Sequence, residues 1–229
     1  MTTMMKRFLQ MASVAAIMLL LPLSAGAQSL PAKVASIEEI TPKGWTTGIA
    51  TGDLNKDGVD DVALITIPDF EKGIFRRDDG YEKNLNQPIL AIYFGIPGQG
   101  YTKWRQYDDI LELSDEYVTN DHSVTISPRG TLIISTDNFA SAGGWSAGET
   151  SCTFRFQKGD FFMIGFDTDS FARNTGDGEK VSYNFLTNKC QRTKYNVFDD
   201  KVKPVERWSK IPARPLKRLG DEGLPIFME

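Results

Sequence analysis

The stretch with the most chemical content is Gly52-Asp53-Leu54-Asn55-Lys56-Asp57-Gly58-Val59-Asp60-Asp61. Hard divalent cations take six to eight oxygen ligands, and side chains at every second position of a tight loop can converge on one point. Asp53, Asn55 and Asp57 have that spacing. Gly58 would permit the sharp turn, the backbone carbonyl of Val59 would add a ligand, and Asp61 would close the shell as the following strand begins. Asp60 would point outward. A donor set of oxygen alone, without His or Cys, favours calcium over zinc or copper. An EF-hand is excluded, because loop position 12 is Leu64 inside a β-type run, where a Glu flanked by helices is required. The competing reading is an Asp/Asn/Gly-rich turn that needs no metal.

Two other groups of residues suggest chemistry and carry less. Gly144-Trp145-Ser146-Ala147-Gly148 has the G-x-S-x-G form of a nucleophile elbow. That device needs a strand before it, a helix after it, and an Asp and a His later in the chain. A strand pattern follows Ser146, and the one histidine, His122, precedes it. An order His122–Asp137–Ser146 is the remaining serine-hydrolase option, and a Gly-rich loop is the simpler one. Paired carboxylates could cleave glycosidic bonds. Asp108-Asp109, Asp167 with Asp169, Asp177 with Glu179, and Asp199-Asp200 are candidates, with nothing to single one out. Catalytic residues are therefore not assigned.

The strands that must position the acidic loop are legible. Asp61–Ile67 and Ile89–Phe94 are short apolar runs bounded by Gly, Pro and Asp, which fits buried strands. Ser123–Ser127 and Thr131–Ser135 flank Pro128-Arg129-Gly130, a hairpin signal. Along Ser151–Gln157, Cys152, Phe154 and Phe156 share one face. Lys158-Gly159-Asp160 then turns the chain into Phe161–Phe166, apolar on both faces. Val181–Phe185 and Cys190–Phe198 complete nine or ten short strands. The expected fold is all-β, built from antiparallel meanders in a sandwich-like or propeller-like arrangement. Helix signals are thin: Ile110–Tyr117 offers one or two turns. Asp69–Gln87 reads as a long surface excursion, and residues 204–229 as an extended, Pro-rich tail packed on the domain through Trp208, Ile211 or Phe227. One β domain over residues 28–203 is the simplest organisation.

The acidic loop and the strand after it, from Gly52 to Leu64, resemble the calcium loop of FG-GAP/VCBS-type repeats, as in integrin α-subunit propellers. The resemblance implies side-chain ligands from Asp53, Asn55, Asp57 and Asp61 and a carbonyl from Val59. It covers about 13 residues in a single copy, whereas a propeller carries several. The segments Ala142–Trp145, Thr153–Phe156, Phe162–Asp167 and Ser182–Thr187 resemble the second half of uncharacterised exported bacterial proteins that bear one such repeat.

The amino-terminal residues point to export. Lys6 and Arg7 precede an apolar run, Phe8–Leu23, and Ala25-Gly26-Ala27 offers small residues where a signal peptidase cuts. Cleavage after Ala27 would shift the formal charge from −4 to −6. A mildly acidic chain without a basic run has no electrostatic footprint for nucleic acid, and no second segment reaches membrane-spanning length. In a periplasmic or secreted location, Cys152 and Cys190 are expected to pair, closing a loop worth roughly 3–4 kcal/mol; two buried thiols are the alternative. The expected role is a non-catalytic, calcium-binding module for binding or envelope architecture. Trp145 and Tyr101 are candidate contacts for a protein or glycan partner. The alternative is an extracytoplasmic hydrolase that uses paired carboxylates on glycans or peptides.

Overall fold

The computed structural model of the chain describes residues 29–142, 144–199 and 201–221. The expected signal peptide, residues 1–27, lies outside the described residues, as does Phe227. Among the described residues fourteen strands are formed: β1 (Lys33–Val34), β2 (Thr46–Gly52), β3 (Asp61–Ile67), β4 (Ile74–Arg76), β5 (Glu82–Asn84), β6 (Ile89–Ile96), β7 (Gly100–Tyr107), β8 (Val118–Ile126), β9 (Thr131–Ala140), β10 (Ser146–Gln157), β11 (Asp160–Ala172), β12 (Asp177–Asn184), β13 (Lys189–Asn196) and β14 (Val205–Lys210). Among the described residues there is no α-helix, and Ile110 and Leu111 are instead buried in irregular chain. The all-β expectation holds, in its sandwich form and not as a closed ring.

Two antiparallel sheets face each other. The smaller runs β1-β7-β6-β3-β2, and the larger runs β14-β13-β12-β11-β10-β9-β8. Every neighbour in the larger sheet is also a neighbour in sequence, so it is an uninterrupted meander that short turns can build. Between the sheets, Ala63, Ile65, Leu90 and Ile92 meet Val124, Leu132, Ile134, Phe154, Phe161, Met163 and Phe166. Trp104 packs at the margin of this core, within 5.1 Å of the Phe161 ring and 5.9 Å of Phe156.

The outer face of the smaller sheet is covered too. Leu30, Val34 and Ile40 from the segment before β2 pack on Val62, Leu64, Ile89, Ala91 and Tyr93. Residues 62 and 64 of β3 therefore point one way and 63 and 65 the other, with both sides dry, and this is why β3 and β6 read as continuous apolar runs and not as alternating ones. Tyr101 is half-buried and packs against this second cluster, and so is not the exposed partner contact expected of it.

Two further expectations are corrected. Cys152 and Cys190 are both buried and are not joined by a disulfide. They lie in one cross-strand row, Cys152–Phe166–Tyr183–Cys190, with β11 and β12 between them. Three inter-strand steps amount to about 14 Å, twice the Cα separation that a disulfide spans. Of the expected tail anchors Trp208 is not one, Ile211 is half-buried with its amide bonded to the Asn188 carbonyl, and Leu219 is a further anchor. Trp208 is 64% exposed, whereas Leu219 is 2% exposed and its carbonyl accepts a hydrogen bond from the Tyr107 hydroxyl at 3.1 Å. Around it the chain adds backbone bonds to β11, from the Met163 amide to the Lys217 carbonyl at 2.8 Å and from the Leu219 amide to the Phe161 carbonyl at 2.9 Å. The polar excursion at 69–87 carries the small β4–β5 hairpin.

Candidate metal loop and the carboxylate face

The acidic loop joins β2 to β3, whose pairing ends at Gly52 opposite Asp61. Its conformation follows from side chains that bond to its own backbone. Asp53 accepts the amides of Lys56 through Oδ1 at 2.6 Å and of Gly58 through Oδ2 at 3.1 Å. Oδ1 of Asn55 accepts the Asp57 amide at 2.9 Å, and Oδ1 of Asp57 accepts the Val59 amide at 2.9 Å. Such Asx turns are the local reason that Asp and Asn alternate here. Gly58 takes φ +86, the left-handed turn expected of it, and Lys56 takes φ +68 beside it. Asp60 is exposed, as expected of a residue outside the shell.

Asp61 is of a different kind. It is 0% exposed. Its Oδ2 accepts the amides of Leu54 at 2.9 Å and Asn55 at 3.2 Å, and its Oδ1 accepts the Gly95 amide at 2.9 Å. The carboxylate thus ties the start of the loop to its end and to β6. Burial pushes its carboxyl up from the usual range and is the largest influence on it; the three amides pull the other way, and the nearby Asp57 charge adds to the rise. Gly95 makes the tie possible, because a Cβ there would overlap the Asp60 carbonyl oxygen and press on Val59. Sequence reasoning missed Gly95. Its signal is a lone glycine inside an apolar strand, which marks a close backbone approach.

As a cation site the donor set is all oxygen, and three of the side chains keep acceptor capacity while the fourth keeps less. A carboxylate oxygen has two lone pairs, so Asp53 keeps one open on each oxygen after its amide bonds. Asp57 keeps capacity because Oδ2 takes only the Asn55 amide group, at 2.9 Å. Oδ1 of Asn55 likewise accepts a single bond. Oδ2 of Asp61 is filled by two amides, which leaves only Oδ1 with capacity to spare. The Lys56 ammonium sits on the Asp53 carbonyl at 3.0 Å and supplies the one positive charge bonded within the loop. Among the described residues no cluster of three or more His, Cys, Asp or Glu side chains is gathered around a common centre.

The candidate serine triad is not assembled. Nε2 of His122 lies 2.8 Å from the Glu112 carbonyl and Nδ1 lies 2.8 Å from the Thr136 hydroxyl. The carbonyl can only accept, so Nε2 carries the proton and Nδ1 accepts from Thr136. Ser146 is in β10 opposite Ala172, while the row of His122 runs to Thr136 and Thr150. Trp145 is 67% exposed, as expected of a loop contact.

Carboxylates do gather elsewhere. On the outer face of the larger sheet Asp121 stands opposite Asp137, Asp137 opposite Glu149, and Glu149 opposite Asp169. Directly opposed residues have Cβ atoms about 5 Å apart. Lys180 ends the row 3.8 Å from Asp169, and the Tyr195 hydroxyl donates to the same carboxylate. Burial and that carboxylate push the Tyr195 phenol up to about 12. A groove of about 410 Å³ runs along this row, with Phe139 and Phe171 beside it. Of the acidic pairs suggested by the sequence, only Asp169 belongs here. Asp167 lies one row away opposite Ser151, Asp177 is bonded to Asn196 at 2.9 Å, Glu179 faces Arg192 at 3.4 Å, and Asp200 lies outside the described residues.

Comparison with known proteins finds no matching family model, no matching curated protein and no matching solved structure.

Proposed function

We propose that the chain is an exported, calcium-binding β module that serves in binding or envelope architecture, without catalysis of its own. One observation supports this most. Asp53, Asn55 and Asp57 are held by amides of their own loop while each keeps lone pairs to offer, at the mouth of a strand whose first residue, Asp61, is a buried carboxylate. Calcium would be held by Asp53, Asn55, Asp57 and the Val59 carbonyl, with Asp61 contributing through Oδ1. Its work would be structural. It would neutralise the acids and lock the β2–β3 connection against β6. The FG-GAP/VCBS resemblance supports the same ligand set. The exposed Trp145 would meet a protein or glycan partner.

The test is isothermal titration of chelator-stripped protein with calcium chloride and, separately, magnesium chloride. One calcium bound per chain, lost in Asp53→Ala and Asp57→Ala, is the expected result. No heat with calcium, or equal binding by both variants, rules the reading out.

A second reading has the carboxylate row behind it. Acids on adjacent strands along a groove with aromatic margins are the kind of paired carboxylates that glycoside cleavage uses. Turnover of soluble glycans that disappears in Glu149→Gln would move the assignment to a hydrolase.

A further inference from the structure

The larger sheet ends in a strand with one bare side. All six residues of β14 are exposed, and among the described strands β14 pairs only with β13. At the opposite end of this sheet β8 packs against β2 and β3, so that edge is covered. The amide of Ile211 donates to the Asn188 carbonyl at 3.0 Å, which fixes the phase of the pairing. Backbone groups alternate in direction along an antiparallel strand. Val205, Arg207 and Ser209 therefore turn theirs toward β13, and Glu206, Trp208 and Lys210 turn theirs to the open side. Three amides and three carbonyls face outward in a row, the template that natural edges usually blunt with a bulge, a proline or a covering segment. Here Pro204 and Pro212 stand outside the six residues and leave the row intact.

The same three residues put their side chains on one face, opposite Thr193, Gln191 and Lys189. Their order is acid, aromatic, base. Read backwards it is base, aromatic, acid, so an antiparallel copy is its complement. With a two-fold axis through Trp208, Glu206 faces Lys210 of the partner subunit, Trp208 faces its own copy, and Lys210 faces Glu206 of the partner subunit. Three such pairs use all six outward backbone groups. Neither Glu206 nor Lys210 has an ion pair among the described residues. Lys210 is also opposite Lys189, a like-charge pair that costs stability unless an acid comes alongside.

We propose that β14 is the docking edge for a second copy of this chain, joined strand to strand about a two-fold axis at Trp208 so that two seven-stranded sheets become one of fourteen. The contact is isologous and closes on itself, which makes a dimer and not a fibre. It also gives a role to Trp208, a large apolar side chain left 64% exposed in the single chain.

The experiment is sedimentation equilibrium of the chain from residue 28 onward over a wide concentration range, with circular dichroism to confirm folding of each variant. A concentration-dependent dimer is expected. Glu206→Lys turns both inter-chain ion pairs into repulsions, as does Lys210→Glu, and each should raise the dimer dissociation constant at least about tenfold. The double reversal Glu206→Lys/Lys210→Glu restores both pairs and should return the constant to near the wild-type value. A wild-type chain that stays monomeric overturns the proposal. So does a dimer indifferent to the single reversals, or one that the double reversal fails to rescue.

Discussion

Replacing Asp61 dissects the tie between the acidic loop and β6. Asp61→Ala leaves the amides of Leu54, Asn55 and Gly95 without their acceptor. Leu54 is 1% exposed, and the Gly95 amide is buried against Asp61, so those two donors have no route to water. An unsatisfied buried donor costs about 1–3 kcal/mol. The partly exposed Asn55 amide can turn to solvent and adds little. The expected loss is about 3–4 kcal/mol. Asp61→Asn keeps an oxygen for the Leu54 and Asn55 pair and sets its amide group against the Gly95 amide, losing one bond. Like the Ala change it removes a charge whose burial is unfavourable, as the raised pKa indicates, and here that gain is set against one lost bond and not three. The two effects oppose each other, and the net cost should be about 1 kcal/mol or less. Urea unfolding in chelator, which silences any metal contribution, measures both. With a slope of about 2 kcal/mol/M, the midpoint should fall by roughly 1.5–2 M for Ala and by less than about 0.5 M for Asn, with unchanged slopes. Equal midpoints for the two variants, or an Ala cost below about 1 kcal/mol, would refute the clamp.

Other outcomes follow from the same geometry. Gly95→Ala forces a methyl into the Asp60 carbonyl and Val59 and should cost about 1–3 kcal/mol by overpacking, read as a lower urea midpoint; an unchanged midpoint would mean that β6 and the loop can separate freely. Thermal melts with and without dithiothreitol should coincide, because no bridge joins Cys152 to Cys190; a clear drop on reduction would overturn the strand order between them. Burial is the main cause that lowers the His122 pKa in the fold, against the opposing Glu112 carbonyl and Asp121. The folded chain then binds fewer protons than the unfolded one below the unfolded pKa of about 6.5, so stability is whole above that pH and falls as pH drops through it, with a slope of at most about 1.4 kcal/mol per unit from this group. His122→Gln should flatten that stretch of the pH–stability curve, and an identical curve would show that His122 titrates as it does in the unfolded chain.

Much of the fold could be read from local pattern. The apolar runs at 61–67 and 89–94, the turn at Pro128-Arg129-Gly130 and the turn at Lys158-Gly159-Asp160 each carry their own signal, and the meander then follows from short connections. Alternation assigns a residue to a face but says nothing of which strands lie between two faces. Cys152 shares a face with Phe154 and Phe156 as the alternation implies, but the expected bridge to Cys190 fails because two strands lie between them. The covering role of residues 30–40 had no local signature, because it depends on which sheet face the chain crosses. At the acidic loop the alternating Asp53, Asn55 and Asp57 were legible, but the amide contact of Asp61 with Gly95 spans 34 residues and no motif of nine could contain it. The carboxylate row was invisible for the same reason, since Asp121, Asp137, Glu149 and Asp169 come from four strands and meet only through register.

The proposed calcium function is tested most directly by thermal unfolding of the wild-type chain in calcium and in chelator, with Asp57→Ala alongside. A ligand that binds only the folded chain stabilises it by about 2.7 kcal/mol at a hundredfold excess over its dissociation constant, which for a chain of this size is roughly 5–10 °C. The wild type should show that rise and Asp57→Ala should lose most of it. Coincident wild-type melts, or a rise of equal size in the variant, would contradict a calcium site at residues 53–61.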